Sequence, residues 1–219
     1  MTATLRSPTR SSALRSAWAV CLALCAGCAE DLSMGDGDGD GAETAAGETD
    51  DERPVGGPNV EHEDRGDRLH THVDATDASK WIWLDLESGE ELVVGDPMND
   101  ARWDLGFSRF NVRINGGVSG RAGMEATYVE DTTLDRVTVV PTEGWTADTL
   151  DEEDNVAYAF DEWYDYDIST HVLTPWPRVY VVRTGDGNHF KISIAGYYSS
   201  AGTSGHMQFE WAELEGGSP

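Results

Sequence analysis

The sequence predicts an all-β domain, two packed antiparallel sheets, on three observations. Strand-length runs of alternating apolar and polar residues recur from about residue 71 onward. Turn-forming clusters separate them, as at Glu87-Ser88-Gly89-Glu90, Asn115-Gly116-Gly117 and Thr184-Gly185-Asp186-Gly187-Asn188. No long stretch repeats its apolar residues every three to four positions, as an amphipathic helix requires. A sheet with one apolar face must cover it, and a second sheet does so.

The elements follow in order. Trp81-Ile82-Trp83-Leu84-Asp85-Leu86, a turn and then Leu92-Val93-Val94 predict a hairpin. Trp103, Leu105 and Phe107 share one face of a strand, whereas Phe110, Val112 and Ile114 follow the opposite phase. A slip of one residue predicts a bulge near residues 108–110 or a strand that changes sheet there. Residues 137–140 read as a short strand stopped by Pro141, and residues 156–160 as another strand or as part of a short helix through Trp163. Residues 179–183 and 189–198 flank a clear hairpin turn, and Met207, Phe209 and Trp211 alternate along a closing strand.

The N-terminus has a different character. Arg6, Arg10 and Arg15 precede an apolar run that ends Leu24-Cys25-Ala26-Gly27-Cys28. A charged start, a short apolar run and small residues are the build of an export signal. The run is too short to span a bilayer, which takes about 20 apolar residues. Ala26-Gly27-Cys28 resembles the bacterial lipobox, with Cys25 where a Leu is usual. The resemblance implies a signal peptide over residues 1–27, lipidation at Cys28 and anchoring to a membrane. Ala29 and Glu30 follow, without an Asp in the second position, which points to the outer membrane.

Residues 28–70 are rich in Asp, Glu, Gly and Ala and hold few large apolar side chains. Such a segment cannot bury enough surface to offset its ordering entropy, so it predicts a disordered acidic tether leading to a domain over residues 71–219. Asp36, Asp38 and Asp40, each followed by Gly, imitate the start of a calcium loop, but Gly47 falls where the closing Glu belongs. The chain carries 15 Lys+Arg against 41 Asp+Glu, a formal net charge of −26. That charge repels nucleic acid. No hydrolase elbow, zinc-protease pair or phosphate loop occurs, so the chain is not predicted to be an enzyme.

Three motifs carry a resemblance. Trp103-Asp104-Leu105-Gly106-Phe107-Ser108-Arg109-Phe110, running on to Asn115-Gly116-Gly117, is similar to the WDLAF-R and NGG signature of the HmuY family. Trp81-Ile82-Trp83-Leu84-Asp85-Leu86 resembles the family's opening hairpin. Tyr180-Val181-Val182-Arg183-Thr184-Gly185-Asp186-Gly187, with Lys191-Ile192 and Tyr197-Tyr198, resembles its YVVRT hairpin. The resemblance spans about residues 75–214. It implies a mostly β surface lipoprotein that captures haem for an outer-membrane receptor, with His or Met axial ligands on loops.

The matching motifs hold turns and core, so ligands are sought by residue type. Met124 sits in a mobile Gly-rich loop after the Asn115-Gly116-Gly117 turn, with Gly120 and Gly123 near it, and His171 lies in a loop beside aromatic residues. These two are the candidate axial ligands. His189 and His206 begin strands and are weaker candidates. His62, His70 and His72 fall within or beside the tether, where two imidazoles without a third ligand make a poor metal site. Arg109, Arg113, Arg121 and Arg178 are the cations available to haem propionates. The alternative function is a carbohydrate- or protein-binding module that uses Trp163, Tyr164, Tyr166 and Trp176 as exposed rings.

Overall fold

The computed structural model describes residues 55–215. The export signal, Cys28 and the calcium-like Asp-Gly repeat lie outside the described residues. Strands dominate, and a single turn of 3-10 helix at Leu134–Arg136 interrupts them. No helix among the described residues is long and apolar enough to cross a membrane.

The larger sheet has six antiparallel strands. These are β1 (Val60–Asp64), β2 (Leu69–Asp74), β7 (Glu125–Glu130), β12 (Arg178–Arg183), β13 (His189–Tyr198) and β14 (Ser204–Glu213). They lie in the order β1-β2-β14-β13-β12-β7. The smaller sheet is β4-β3-β5-β6, from β3 (Ile82–Leu84), β4 (Glu91–Leu92), β5 (Leu105–Ser108) and β6 (Asn111–Ile114). Two short ribbons complete the domain: β8 (Thr149–Leu150) with β9 (Val156–Ala157), and β10 (Tyr164–Asp167) with β11 (Val172–Pro175).

The main core combines the apolar faces of both sheets. Leu84, Leu105, Phe107 and Ile114 of the smaller sheet join Val73, Tyr180, Ile192, Met207 and Phe209 of the larger one. Phe107 stacks on Phe209 with centroids 5.4 Å apart. A minor core lies on the other face of the larger sheet, where Leu134 and Val137 cover Val179 and Val181. Residues buried on both faces explain the unbroken apolar run Val179-Tyr180-Val181-Val182.

Several expectations are corrected. The domain starts before residue 71: β1 and the start of β2 form a hairpin inside the segment assigned to the tether. Charged residues hid it, because β1 is an edge strand that buries little beyond Val60. A relay fixes this hairpin. Trp211 Nε1–H donates to Thr71 Oγ1 (2.7 Å), the Thr71 hydroxyl donates to His62 Nδ1 (2.7 Å), and His62 Nε2–H donates to the Gly89 carbonyl (2.7 Å). A carbonyl can only accept, so His62 holds its proton on Nε2. Asn59 is clamped by both carboxylate oxygens of Glu91, at 2.6 and 2.7 Å.

The phase slip at residues 108–110 is a hairpin turn. Ser108 pairs with Asn111, and Arg109 takes φ 55 at the turn. The Arg109 guanidinium fixes this corner, donating to the carbonyls of Thr76 and Ser204 and to Ser204 Oγ. Residues 137–140 are no strand, since Val137 serves the minor core from irregular backbone. The strand expected over residues 156–160 shortens to Val156–Ala157, and Phe160 turns inward to stack on Tyr180 at 4.2 Å.

Candidate functional site

The β10–β11 hairpin carries exposed tyrosine, histidine and aspartate side chains close together. Its register pairs Tyr164 with Pro175, Tyr166 with Leu173 and Asp167 with Val172. Residues of a cross-strand pair share a face, so Tyr164, Tyr166, Leu173 and Pro175 line one side. Tyr164 and Leu173 pack against the main core. The Tyr198 hydroxyl accepts the Leu173 N–H at 2.9 Å, and Phe110 meets Tyr164 edge-on. Tyr166 is the outermost member of that face and is 47% exposed.

The four residues at the tip are built around Asp167. Its carboxylate accepts the Ser169 N–H (2.8 Å), the Ser169 hydroxyl (2.7 Å) and the Thr170 N–H (3.3 Å). These bonds hold its pKa down at about 2. His171 closes the tip at φ 58, with its N–H on the Asp167 carbonyl (2.7 Å). Glycine takes this left-handed backbone shape more readily than histidine does. His171 Nδ1 and the Tyr166 hydroxyl form a short hydrogen bond. Ile168 beside them is 79% exposed, and Val172 and Trp176 are each near 40%.

The two predicted ligands are not brought together. Met124 is not on a mobile loop: it is 0% exposed, part of the main core, and its N–H is held by the Asn115 carbonyl (3.1 Å). Gly116 lets the backbones meet there, since a Cβ on it would lie 2.1 Å from the Met124 carbonyl oxygen. Trp163, expected as an exposed ring, is buried and donates its indole N–H to the Phe110 carbonyl at 2.8 Å. His189 sits edge-on against Trp145, and burial lowers its pKa. Of the four arginines, Arg109 is committed to the corner above, Arg113 lies 3.4 Å over Trp81, and Arg178 pairs with Glu130. Arg121 is exposed.

His72 and His206 form a pair that the sequence did not reveal, because they lie on neighbouring strands. His72 Nε2 and His206 Nδ1 are 2.9 Å apart in nearly parallel rings whose centroids are 5.1 Å apart. That combination puts the hydrogen bond in line with both rings, so one proton sits between the nitrogens and no ion fits. Asp85, Glu87 and Asp104 bring three carboxylates within 4.8 Å, beside a 290 Å³ cleft. Burial, then the Glu87 carboxylate, pushes Asp104 up to about 8, so it is protonated at neutral pH. Its other oxygen accepts the Leu86 N–H at 2.8 Å. Glu87 is held by Thr184 Oγ1 (2.8 Å) and Asn188 Nδ2 (3.1 Å). A shared proton and strand-to-turn hydrogen bonds make this cluster a bolt between the sheets.

The HmuY protein family model matches residues 77–211. This chain belongs to the HmuY family. Solved structures agree on the fold. An apo HmuY analog of Tannerella forsythia superposes with TM-score 0.54 at 17% identity, over 67% of this chain and 95% of that one. A candidate HmuY-like haem-binding protein of Bacteroides vulgatus gives 0.52 at 18% identity, over 74% and 99%. A candidate lipoprotein of Bacteroides fragilis gives 0.54 at 21% identity, over 72% and 95%. No curated protein sequence matches the chain. At these identities the structures speak for the HmuY fold, and the ligand chemistry must be argued from this chain's own side chains.

Proposed function

We propose that this HmuY-family domain is a lipid-anchored envelope protein that binds haem at the tip of the β10–β11 hairpin. One observation carries the reading: His171, hydrogen-bonded to Tyr166, stands beside exposed Ile168 and Val172. Haem needs a metal-binding side chain beside apolar and aromatic surface for its flat ring. The donors present here fit that need. Met124 is withdrawn as a ligand, because reaching iron would require opening the core. Of the arginines weighed for the propionates, Arg121 alone has no partner assigned above. Haem bound here supplies a Lewis-acidic iron and a wide apolar face. The chain's part is to orient that face on the hairpin and to hold the metal.

The test is a titration of the purified domain with haemin. The expected result is a shifted Soret band at micromolar haemin, weakened by shaving Ile168 and Val172 to Ser. An unshifted band overturns the reading. The anchor is tested separately. The native protein enters the detergent phase on partition, and Cys28→Ala moves it to the aqueous phase. Unchanged partition of that variant overturns lipidation at Cys28.

A second reading has its own observation. A 580 Å³ groove on the outer face of the larger sheet is lined by Trp176, Arg68, Glu210, Ser193 and Thr132, among others. An exposed indole beside fixed polar groups suits stacking against a sugar ring. Trp176→Ala would then abolish retention on a polysaccharide column while leaving haemin binding within a few-fold of the parent.

A further inference from the structure

We infer that the groove on the outer face of the larger sheet binds an uncharged oligosaccharide, with Trp176 as the platform under one of its rings. The inference rests on the second reading above and names the class of sugar. The groove has its cause in the strand pairing. β12 and β13 pair only as far as Tyr180–Ile192, whereas β13 runs on to Tyr198. Past Ile192 the two strands part. Ser193, Ile194 and Ala195 line the opening, with the end of β11 and the Thr132–Asp135 segment beside them. Its 580 Å³ falls within the range of about 300–1,000 Å³ usual for sites that enclose drug-sized ligands, so more than one sugar ring has room.

Trp176 is held by its own backbone. Its N–H donates to the Trp163 carbonyl (2.9 Å), its carbonyl accepts the Arg178 N–H (2.8 Å), and Pro175 and Pro177 flank it. The indole is 42% exposed and, among the described residues, stacks on no other ring. A fixed aromatic face open to solvent suits the C–H face of a pyranose, because little freedom is lost when the ring docks. Around it stand the hydroxyls of Thr132, Thr133, Thr174 and Ser193, and none of the four makes a hydrogen bond within the described residues. Thr133 is the plainest case. It occupies the N-cap of the 3-10 turn, where a threonine hydroxyl commonly bonds a backbone N–H, and it makes no such bond. Each hydroxyl can both donate and accept, which matches a ligand that itself carries hydroxyls.

The charged groups decide the class of sugar. Arg68, Asp135 and Glu210 are the charged side chains that line the groove, and they are engaged with one another. Arg68 Nη2 pairs with Asp135 and with Asp67 (2.9 Å), and its Nη1 lies 3.4 Å from Glu210. The other Glu210 oxygen holds Arg65 at 2.6 Å. Neither an anionic nor a cationic ligand meets an unpaired counter-charge in this lining. The chain's net charge of −26 adds repulsion against an anion. What the groove offers is a stacking face and neutral hydrogen bonds. These suit chains of neutral hexoses or N-acetylated hexosamines and disfavour uronic acids and free amino sugars.

The experiment uses a glycan array that carries uncharged, uronate-bearing and amino-sugar oligosaccharides, probed with the purified parent protein and with Trp176→Ala. The parent is expected to bind uncharged chains best. Its affinity for the best of them, read by calorimetry, should change by less than about twofold between about 0.01 and 1 M salt, a range over which attraction between exposed charges is screened away. Trp176→Ala should weaken that affinity at least about tenfold, as loss of a central aromatic anchor does. Its melting midpoint should match the parent's, because the indole is exposed, so weak binding cannot be laid to misfolding. Two results overturn the inference while leaving sugar binding intact. One is an array on which the uronate or amino-sugar chains bind best. The other is an affinity for the uncharged chain that falls steeply as salt rises. A Trp176→Ala variant that binds as the parent does places the sugar elsewhere and overturns the inference together with the second reading. A parent that binds no sugar on the array overturns both as well, and the haemin titration stands apart from either outcome.

Discussion

Lowering the pH from about 8 to about 6.5 raises the thermal midpoint of this domain by roughly 4–8 °C, and Asp104→Asn removes most of that rise. Asp104 keeps its proton up to about pH 8 in the folded state, whereas an unfolded chain releases it near pH 4. A carboxyl group with a raised pKa contributes stability at low pH and loses it as the pH climbs to the folded value. Across that window the loss is about 2 kcal/mol, from 1.36 kcal/mol per unit. Asp148, pushed up to about 6 by burial, adds only at the lower end. Below about 6.5 the gain flattens. His62, His70 and His189 have lowered pKa values through burial, so the unfolded chain takes up their protons first. Asparagine reproduces the protonated acid: its Nδ2 donates to Glu87 and its Oδ1 accepts from Leu86 N–H. Asp104→Asn should therefore melt higher than the parent at pH 8 and alike near pH 6.5. Melting curves at the two pH values decide it; an unchanged pH slope in the variant refutes the shared proton.

Gly117→Ala is expected to cost about 2–5 kcal/mol, combining a left-handed residue with an overpacked contact. Gly117 adopts φ 61, and a Cβ there would lie 1.9 Å from the Asp148 carbonyl oxygen. That carbonyl cannot move freely, because it accepts the Val118 N–H at 2.9 Å. The Asp148 side chain is fixed as well, accepting the N–H groups of Ile114 (3.2 Å) and Ala159 (2.8 Å). One methyl group therefore pushes on the residue that joins β6 to the β8–β9 ribbon. Chemical denaturation measures the loss, and Gly123→Ala is the control. Gly123 is also left-handed at φ 81, but its Cβ would meet open space. If the two variants lose equal stability, backbone strain alone explains both, and the contact with Asp148 contributes nothing.

The parts of the fold legible in the sequence are those where one face of a strand is buried and the other is wet. β14, and β13 as far as Ile194, alternate buried and half-exposed residues, and the boundaries of both strands were readable to within two residues. Alternation failed at both extremes. Every residue of β5 is buried, so its hairpin with β6 looked like one slipped strand. β1 is almost wholly exposed and looked like tether. The candidate site was half legible. Tyr166 and His171 were each noticed, but their bond depends on a four-residue turn that Asp167 organises. Met124 was misread because a Gly-rich neighbourhood suggests mobility, whereas Gly116 serves close packing. The His72–His206 pair, 134 residues apart in sequence, had no local signal at all.

The clamp between Asn59 and Glu91 gives the domain a mechanical property. A chain that enters a sheet through its edge strand can be peeled like a zip, one hydrogen bond at a time, by tension on that end. Here the first pull meets two bonds from Asn59 to the Glu91 carboxylate, and then the His62 bond to Gly89. These anchors sit at the start of β1 and reach across to the other sheet. Tension is loaded onto several bonds in parallel before β1 can begin to leave β2. Under tension applied at its N-terminal side, the domain thus resists being unravelled from the end that bears the load.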